Sequence, residues 1–395
     1  MMAEKGGFSG ERLVEAREAR GISRTELAQC LGVSKQAISQ YEKNQRSPSG
    51  EVMFGMARNL GVPLHFFMAR ESARVTGTVF FRSMAAATKR ARESAKRKYV
   101  WAKELVRYLR EFVEFPQVNF PSFSIPADPA ALSDEDIERI ATDTRRFWGL
   151  GDGPISNVTW LLENNGAIVI RQSFDVKTLD AFSEWDKEEQ TPYLILGAGK
   201  TSAARSRLDA THELGHMILH RHAKSLGSAV FRLLEDQAYR FAGAFLLPAS
   251  TFQAEVVPTL RSLVLAKAKW RVSVGAMIKR MAHLRLISPG REQRLFANLS
   301  RRGWRTREPL DDELDVEEPR LIKRSLDLLI ANGIIRPDDL KARLALYVAD
   351  VENVTGLTGY FTKGPEDPEF PRIIRFDQTA KTPESEREET RTGED

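Results

Sequence analysis

Between residues 9 and 68 apolar positions recur at steps of three and four, interrupted by Gly21, Gly32 and Gly61. That spacing predicts five short helical elements. Glu11 to Arg20 forms the first. Ser23-Arg-Thr-Glu26 opens the second as a capping box, with Ser23 at the N-cap and Glu26 three residues on. Val33-Ser34 begins the third, Lys35 to Lys43, and a loop over 44–49 precedes a fourth that ends near Leu60. A last turn covers Pro63 to Phe67. Thr78 to Arg82 reads as a short apolar strand or turn. Trp101, Leu105, Val106, Tyr108 and Leu109 give the next stretch a helical apolar face, and prolines punctuate an extended run over 115–126. Ser133 to Asp136 is a second capping box, starting a helix that ends near Trp148. Another helix covers Ile155 to Asn164. Asn165-Gly166 turns into a strand over 167–171, Leu179 to Trp185 is a further strand or turn, and Tyr193 to Leu196 is a strand. Helical patterns return over 209–220 and 233–248, then over 320–335 and 337–349.

The strongest chemical signal lies in the first of these later helices. His212-Glu213-Leu214-Gly215-His216 places two histidines four residues apart, hence on one helix face, where both imidazoles can point at one ion. Glu213 is then placed as general base for a water. Four of the six histidines of the chain fall between His212 and His222, on a segment whose Ala210, Leu214, Met217 and Ile218 form an apolar face. The third ligand is expected from the next helix. Glu235 stands nineteen positions after His216, with Ala238, Ala242 and Phe245 following at helical steps; Asp236 is the alternative. Two His and one Glu leave one position of a zinc ion open. Tyr239, His220 and His222 are unranked candidates for stabilising an oxyanion. The edge of a short antiparallel sheet, Tyr193 to Ala198, is expected to hold an extended peptide as an added strand.

Composition narrows the setting. A net charge of +5 and a pI near 9.2 permit nucleic-acid binding. One cysteine, Cys30, excludes a disulfide framework and fits a reducing cytosol; it is expected in a core. The start has no apolar signal-peptide region, and no run of about 18 apolar residues marks a membrane span, so a cytoplasmic protein with no membrane partner is expected. Ten Lys or Arg against two Glu between Arg82 and Arg110 make that helix basic. A core-facing stripe with a solvated basic face is favoured over a helix lying on DNA phosphates.

Two resemblances follow from these residues. Leu27-Ala-x-x-Leu-Gly-Val-Ser34 with Ile38-Ser-x-Tyr-Glu42 resembles the helix-turn-helix of the lambda repressor-like (XRE) domains. In that motif the second helix enters the major groove. Ser34, Lys35, Gln36, Ser39 and Gln40 then stand at or near base edges, with Gln36 suited to adenine and Lys35 to guanine or phosphate. Asn44 and Arg46 in the following loop are candidate phosphate contacts. One such domain reads one half-site, so tight binding to a double-stranded operator points to a homodimer. The segments His212-Glu-Leu-Gly-His-x-x-Leu-His220 and Glu235-x-x-Ala-x-x-Phe-Ala-x-x-x-Leu-x-Pro248 resemble the ImmA/IrrE metallopeptidases. This resemblance implies a gluzincin-like, zinc-dependent endopeptidase of the cytoplasm acting on a transcriptional repressor in a stress or mobile-element response.

The expected architecture is multi-domain. An all-α five-helix lambda repressor-like DNA-binding domain (1–70) precedes a basic connector helix and proline-rich linker (71–126). An α+β zincin-like metallopeptidase domain (127–257) carries His212, Glu213, His216 and Glu235. A second helix-turn-helix-like subdomain (258–300), a helical C-terminal region (301–378) and a disordered acidic tail (379–395) complete the chain. The expected partners are operator DNA and a protein substrate, either a repressor or the chain itself. A non-catalytic regulator or anti-repressor, whose peptidase-like part only senses or docks a partner, is the alternative.

Overall fold

The computed structural model describes residues 7–69, 79–80, 88–173, 181–199, 202–221 and 228–363 of the 395. The expected disordered tail lies outside the described residues. At the amino-terminal end, α1 (Gly10–Ala19), α2 (Arg24–Leu31), α3 (Lys35–Glu42) and α4 (Gly50–Leu60) are closed by a 3-10 turn over Leu64–Met68. At the start of each helix the hydroxyl oxygen of a serine, Ser9, Ser23, Ser34 and Ser49 in turn, accepts a backbone N–H from the first turn. These caps satisfy donors that the helix itself leaves unpaired. The capping box of Ser23 and Glu26 is formed as expected. Cys30 is exposed on α2 and belongs to no core. The apolar positions of α2 that face inward are Leu27 and Ala28, one turn before it.

The chain continues through β1 (Val79–Phe80) into α5 (Lys89–Arg110), then α6 (Asp134–Phe147) and α7 (Val158–Asn164). Next come β2 (Ile168–Gln172), β3 (Ala181–Asp186) and β4 (Thr191–Gly197). The four strands lie in the order β1-β3-β4-β2. β3 runs antiparallel to both β1 and β4, whereas β2 and β4 are parallel. The sheet is therefore mixed, not antiparallel throughout. Residues Tyr193 to Ala198 also do not form its edge: β4 is bonded on both sides, by β3 and β2. A long apolar run such as Tyr193-Leu-Ile-Leu marks an inner strand buried on both faces.

Alternation along these strands divides the interior in two. Ile168, Ile170, Phe182, Tyr193 and Ile195 point into one apolar core; Val169, Ala181, Trp185, Leu194 and Leu196 point into the other. The second core is filled by α8 (Ala203–Leu219), α9 (Ser228–Leu246), α10 (Ala249–Glu255), α11 (Leu260–Trp270), α12 (Val274–His283) and α13 (Pro289–Arg301), together with α6 and α7. The first core joins the far face of the sheet to α5, to the amino-terminal helices, and to α14 (Leu321–Ala331), α15 (Pro337–Leu344), α16 (Val348–Thr355) and α17 (Tyr360–Lys363).

The connector and the carboxy-terminal helical region both pack on these cores. In the segment 71–126, α5 buries Trp101, Leu105, Val106 and Leu109 between the amino-terminal helices and the sheet, so its stripe faces a core. The proline-rich stretch within it packs Phe120, Phe123 and Ile125 against the second core. It is an extended strap, and proline punctuation alone does not separate a strap from a loose linker. Region 301–378, as far as residue 363, folds back through α14–α17 onto the first core. Polar contacts reinforce the docking of the amino-terminal helices. Arg20 donates twice to Asp350, at 2.7 and 2.6 Å, and the Ser94 hydroxyl donates to Ala19 O at 2.7 Å. Trp101 Nε1 donates to Glu15, and the fully buried Lys103 pairs with the fully buried Asp186 at the end of β3. No helix among the described residues is long and apolar enough to cross a membrane.

Candidate metal centre

α8 carries the expected histidine pair and α9 the expected carboxylate. These two helices touch closely because Gly215 has no side chain: a Cβ there would lie 3.2 Å from both Cα and O of Ala238. His212 Nε2 and His216 Nε2 are 3.0 Å apart. Glu235 brings Oε1 to 3.2 Å from His216 Nε2 and Oε2 to 3.4 Å from His212 Nε2. Zinc bound tetrahedrally at about 2.0–2.1 Å from each ligand sets the ligand atoms about 3.3 Å apart, so these three donors fit such an ion. The imidazoles are fully buried, and the Glu235 side chain is 13% exposed. Asp236, the alternative third ligand, is exposed and outside the cluster.

Glu213 reaches from α8 to the sheet. The Ser183 hydroxyl on β3 donates to Glu213 Oε2 at 2.6 Å. β3 is thus the strand beside the acid, and Val79–Phe80 pair with it opposite Glu184 and Ser183. Ser183 carried no signal in the sequence, since a serine inside a strand has no motif to mark it.

The three oxyanion candidates separate. The Tyr239 ring packs on His212, with centroids 4.5 Å apart. His220 is turned away from the donor cluster: its Nδ1 meets His216 Nδ1 at 2.9 Å and its Nε2 meets Gln237 Oε1 at 3.0 Å. Burial, and then the neighbouring His216, pull the His220 pKa down to about 3, which keeps the ring neutral. His222 lies outside the described residues. Gln237 was not singled out from sequence either; its position two residues after Glu235 gave no hint of a role.

At the other end of the molecule, Lys35, Gln36 and Gln40 are exposed at the tip and outer face of α3, and Ser39 is half-buried. Ser34 is exposed, with its hydroxyl accepting Ala37 N–H at 3.1 Å. Arg46 is exposed, near the Tyr41 ring. Asn44 is bonded within the chain. Its Oδ1 accepts Gly10 N–H at 2.7 Å and its Nδ2 donates to Glu11 at 2.8 Å. The amide ties the loop to the start of α1. The second helix-turn-helix-like unit, α11 and α12, buries Val274, Met277, Ile278 and Met281 in the second core, and Arg280 donates to Leu247 O at 2.9 Å. Its helices serve packing.

Comparison with known proteins agrees with this division. Residues 13–67 match the helix-turn-helix family, and residues 162–282 match the IrrE N-terminal-like domain. An HTH-type transcriptional regulatory protein of Pyrococcus furiosus is 44% identical over 68 residues, which is 16% of this chain and 22% of that protein. A protein of the same description from Methanocaldococcus jannaschii is 44% identical over 66 residues, 16% and 21% of the two chains. The HTH-type transcriptional regulator SutR of Escherichia coli is 36% identical over 62 residues, 16% and 35%. The match thus spans about a fifth of the length of the archaeal relatives. The chain joins an XRE-type helix-turn-helix domain to an ImmA/IrrE-type peptidase domain.

Proposed function

We propose that this chain is a DNA-binding transcriptional regulator of the cytoplasm with a zinc-dependent endopeptidase centre in the same molecule. The reading rests on one observation above the rest: the Nε2 atoms of His212 and His216, 3.0 Å apart, meet the two carboxylate oxygens of Glu235 at 3.4 and 3.2 Å, and Glu213 follows His212 on the same helix. His212, His216 and Glu235 hold the ion. When bound, it supplies a positive charge that polarises a peptide carbonyl and acidifies water. Glu213 accepts a proton as water attacks the carbonyl and returns it to the departing amine. Ser183 holds the Glu213 carboxylate in position through its hydroxyl. Lys35, Gln36, Ser39, Gln40 and Arg46 face operator DNA, with Ser34 capping the helix that presents them, and a homodimer reads two half-sites.

The substrate is a protein, either a partner repressor or this chain. The pairing of Val79–Phe80 with β3 favours the second, because these two residues lie against the strand beside Glu213. Metal content and the Glu213→Gln variant test the reading together. About one zinc per chain, lost in His216→Ala and Glu235→Ala, is expected for the site. Glu213→Gln is expected to keep its zinc and lose both proteolysis and regulation. A Glu213→Gln protein that regulates normally would make the peptidase-like part a sensor or docking platform. Wild-type protein that takes up no zinc removes the enzyme reading altogether.

A further inference from the structure

The side chains behind His216 form a chain of hydrogen bonds whose direction is fixed at its far end. Gln237 Nε2 donates to the carbonyl oxygen of Pro129 at 2.7 Å. A carbonyl only accepts, so the amide NH2 must face Pro129 and Oε1 must face His220. Oε1 in turn only accepts, so the hydrogen in the 3.0 Å contact is on His220 Nε2. A neutral His220 with its hydrogen on Nε2 presents a lone pair at Nδ1. The 2.9 Å contact between the two Nδ1 atoms then needs the hydrogen on His216 Nδ1. This leaves the lone pair of His216 on Nε2, the atom that faces His212 and Glu235.

We propose that Gln237 and His220 are positioning residues that hold His216 in its metal-binding tautomer and fix the plane of its ring. The inference rests on the metal reading above and assigns it a supporting relay. A metal-binding imidazole commonly donates its other N–H to a carboxylate, a carbonyl or water. Here a second histidine takes that place, anchored by a glutamine. The relay is buried: His216 and His220 lie in the interior, as does Gln237 at 4% exposure, so water does not compete for these bonds. It also ties α8 and α9 to the turn at Pro129, so three separate pieces of chain set one tautomer.

Two measurements on the full chain test this. In protein labelled with 15N-histidine and freed of metal, long-range proton–nitrogen spectra report which nitrogen of each ring carries hydrogen. His216 is expected with hydrogen on Nδ1 and His220 with hydrogen on Nε2. The reverse assignment at either ring overturns the relay. The second measurement is zinc affinity, by competition against a chromophoric chelator, in Gln237→Leu and Gln237→Glu. Gln237→Leu keeps the volume and removes the acceptor, and it is expected to bind zinc about 10- to 100-fold more weakly. Gln237→Glu keeps an oxygen for His220 but sets a second acceptor against the Pro129 carbonyl, so it is expected to recover only part of that loss, and in Gln237→Leu the proton–nitrogen spectra are expected to lose the Nε2 preference of His220, which a mere packing role would not produce. Apo melting midpoints of the variants separate weakened binding from failed folding. Zinc binding by Gln237→Leu equal to wild type sinks the relay while the site stands. Wild type that binds no zinc sinks the metal reading, and the relay's role toward the ion with it.

Discussion

Gly215→Ala is the most informative single change in the molecule. A glycine in the middle of a helix ordinarily costs about 1 kcal/mol relative to alanine, so on an exposed helix this change would stabilise. At Gly215 the added Cβ would sit 3.2 Å from Ala238 Cα, 3.2 Å from Ala238 O and 3.2 Å from Phe241 Cδ1. Two of these are backbone atoms of α9 and cannot turn aside. Overpacking of this kind costs about 1–3 kcal/mol, so the expected net effect runs from neutral to a loss of about 2 kcal/mol. The consequence for the site is sharper. To relieve the contact α9 must retreat by a few tenths of an ångström, and Glu235, one helical turn before Ala238, retreats with it. The 3.2 and 3.4 Å spacings to the histidines lengthen. Zinc affinity is expected to fall about tenfold, the lower end of the effect of disturbing the support of a metal ligand. A chelator-competition titration beside an apo thermal melt reads both quantities. A Gly215→Ala protein that melts higher and binds zinc as wild type does would refute the reasoning, because helix propensity would then outweigh a contact that imposes nothing on the donors.

Three further outcomes follow from the same structure. Lys103→Met takes the ammonium from the buried Asp186, which also accepts the N–H groups of Glu188 and Glu189 at 2.9 and 2.7 Å, and Asp186→Asn takes the carboxylate from the buried Lys103 ammonium. Each is expected to cost about 3–5 kcal/mol, and the double variant less than their sum, as read by urea denaturation. Burial, then Arg240 and Arg280, pull the His283 pKa down from 6.5 to about 4. The unfolded chain binds the proton first, so stability is full above pH 6.5 and falls as pH drops toward about 4. His283→Leu is expected to flatten the denaturation profile across that window. On operator sequences selected from a random pool, Gln36→Ala is expected to relax preference at one adenine by about 1–3 kcal/mol. Lys35→Ala is expected to weaken all sequences alike and lower the salt slope by about 1 if Lys35 contacts phosphate.

The amino-terminal helices were legible because their signals are local. Each begins at a serine cap, and Gly32 and Gly61 end α2 and α4 at φ 65° and 57°, in the left-handed region that favours glycine. The trio of His212, His216 and Glu235 was legible for a related reason: helical spacing places two donors, and the apolar face of α9 decides how the third is turned. Strand order was not legible. Nothing local to Tyr193-Leu-Ile-Leu says which strands flank it, since an apolar run marks burial and burial is shared by every inner position. The bonds of Asn44 were hidden for another reason. Its loop lies beside the recognition helix, but the N–H of Gly10, 34 residues earlier, takes its side chain, and that contact exists only after folding. Ser183 and Gln237 escaped notice in the same way, because each acts through a partner that is distant in sequence.

The shared first core constrains how proteolysis could act on DNA binding. β3 turns Ser183 toward Glu213 on one face, while on the other Phe182 enters the core that holds α5. Beyond it, Asp186 meets Lys103 of α5, and Trp101 of α5 reaches Glu15 of α1. Every group along this line is buried and bonded, so the amino-terminal helices are docked on the peptidase-like half, not tethered to it. A cut between residues 69 and 88 would therefore not free them at once. Leu13, Ala16 and Ala19 would still share a core with α5, and Arg20 would still grip Asp350. Cleavage would turn an intramolecular contact into one between two fragments, and only then would separation depend on concentration. Loss of operator binding after such a cut must come either from slow dissociation of that interface or from disorder at the newly made ends.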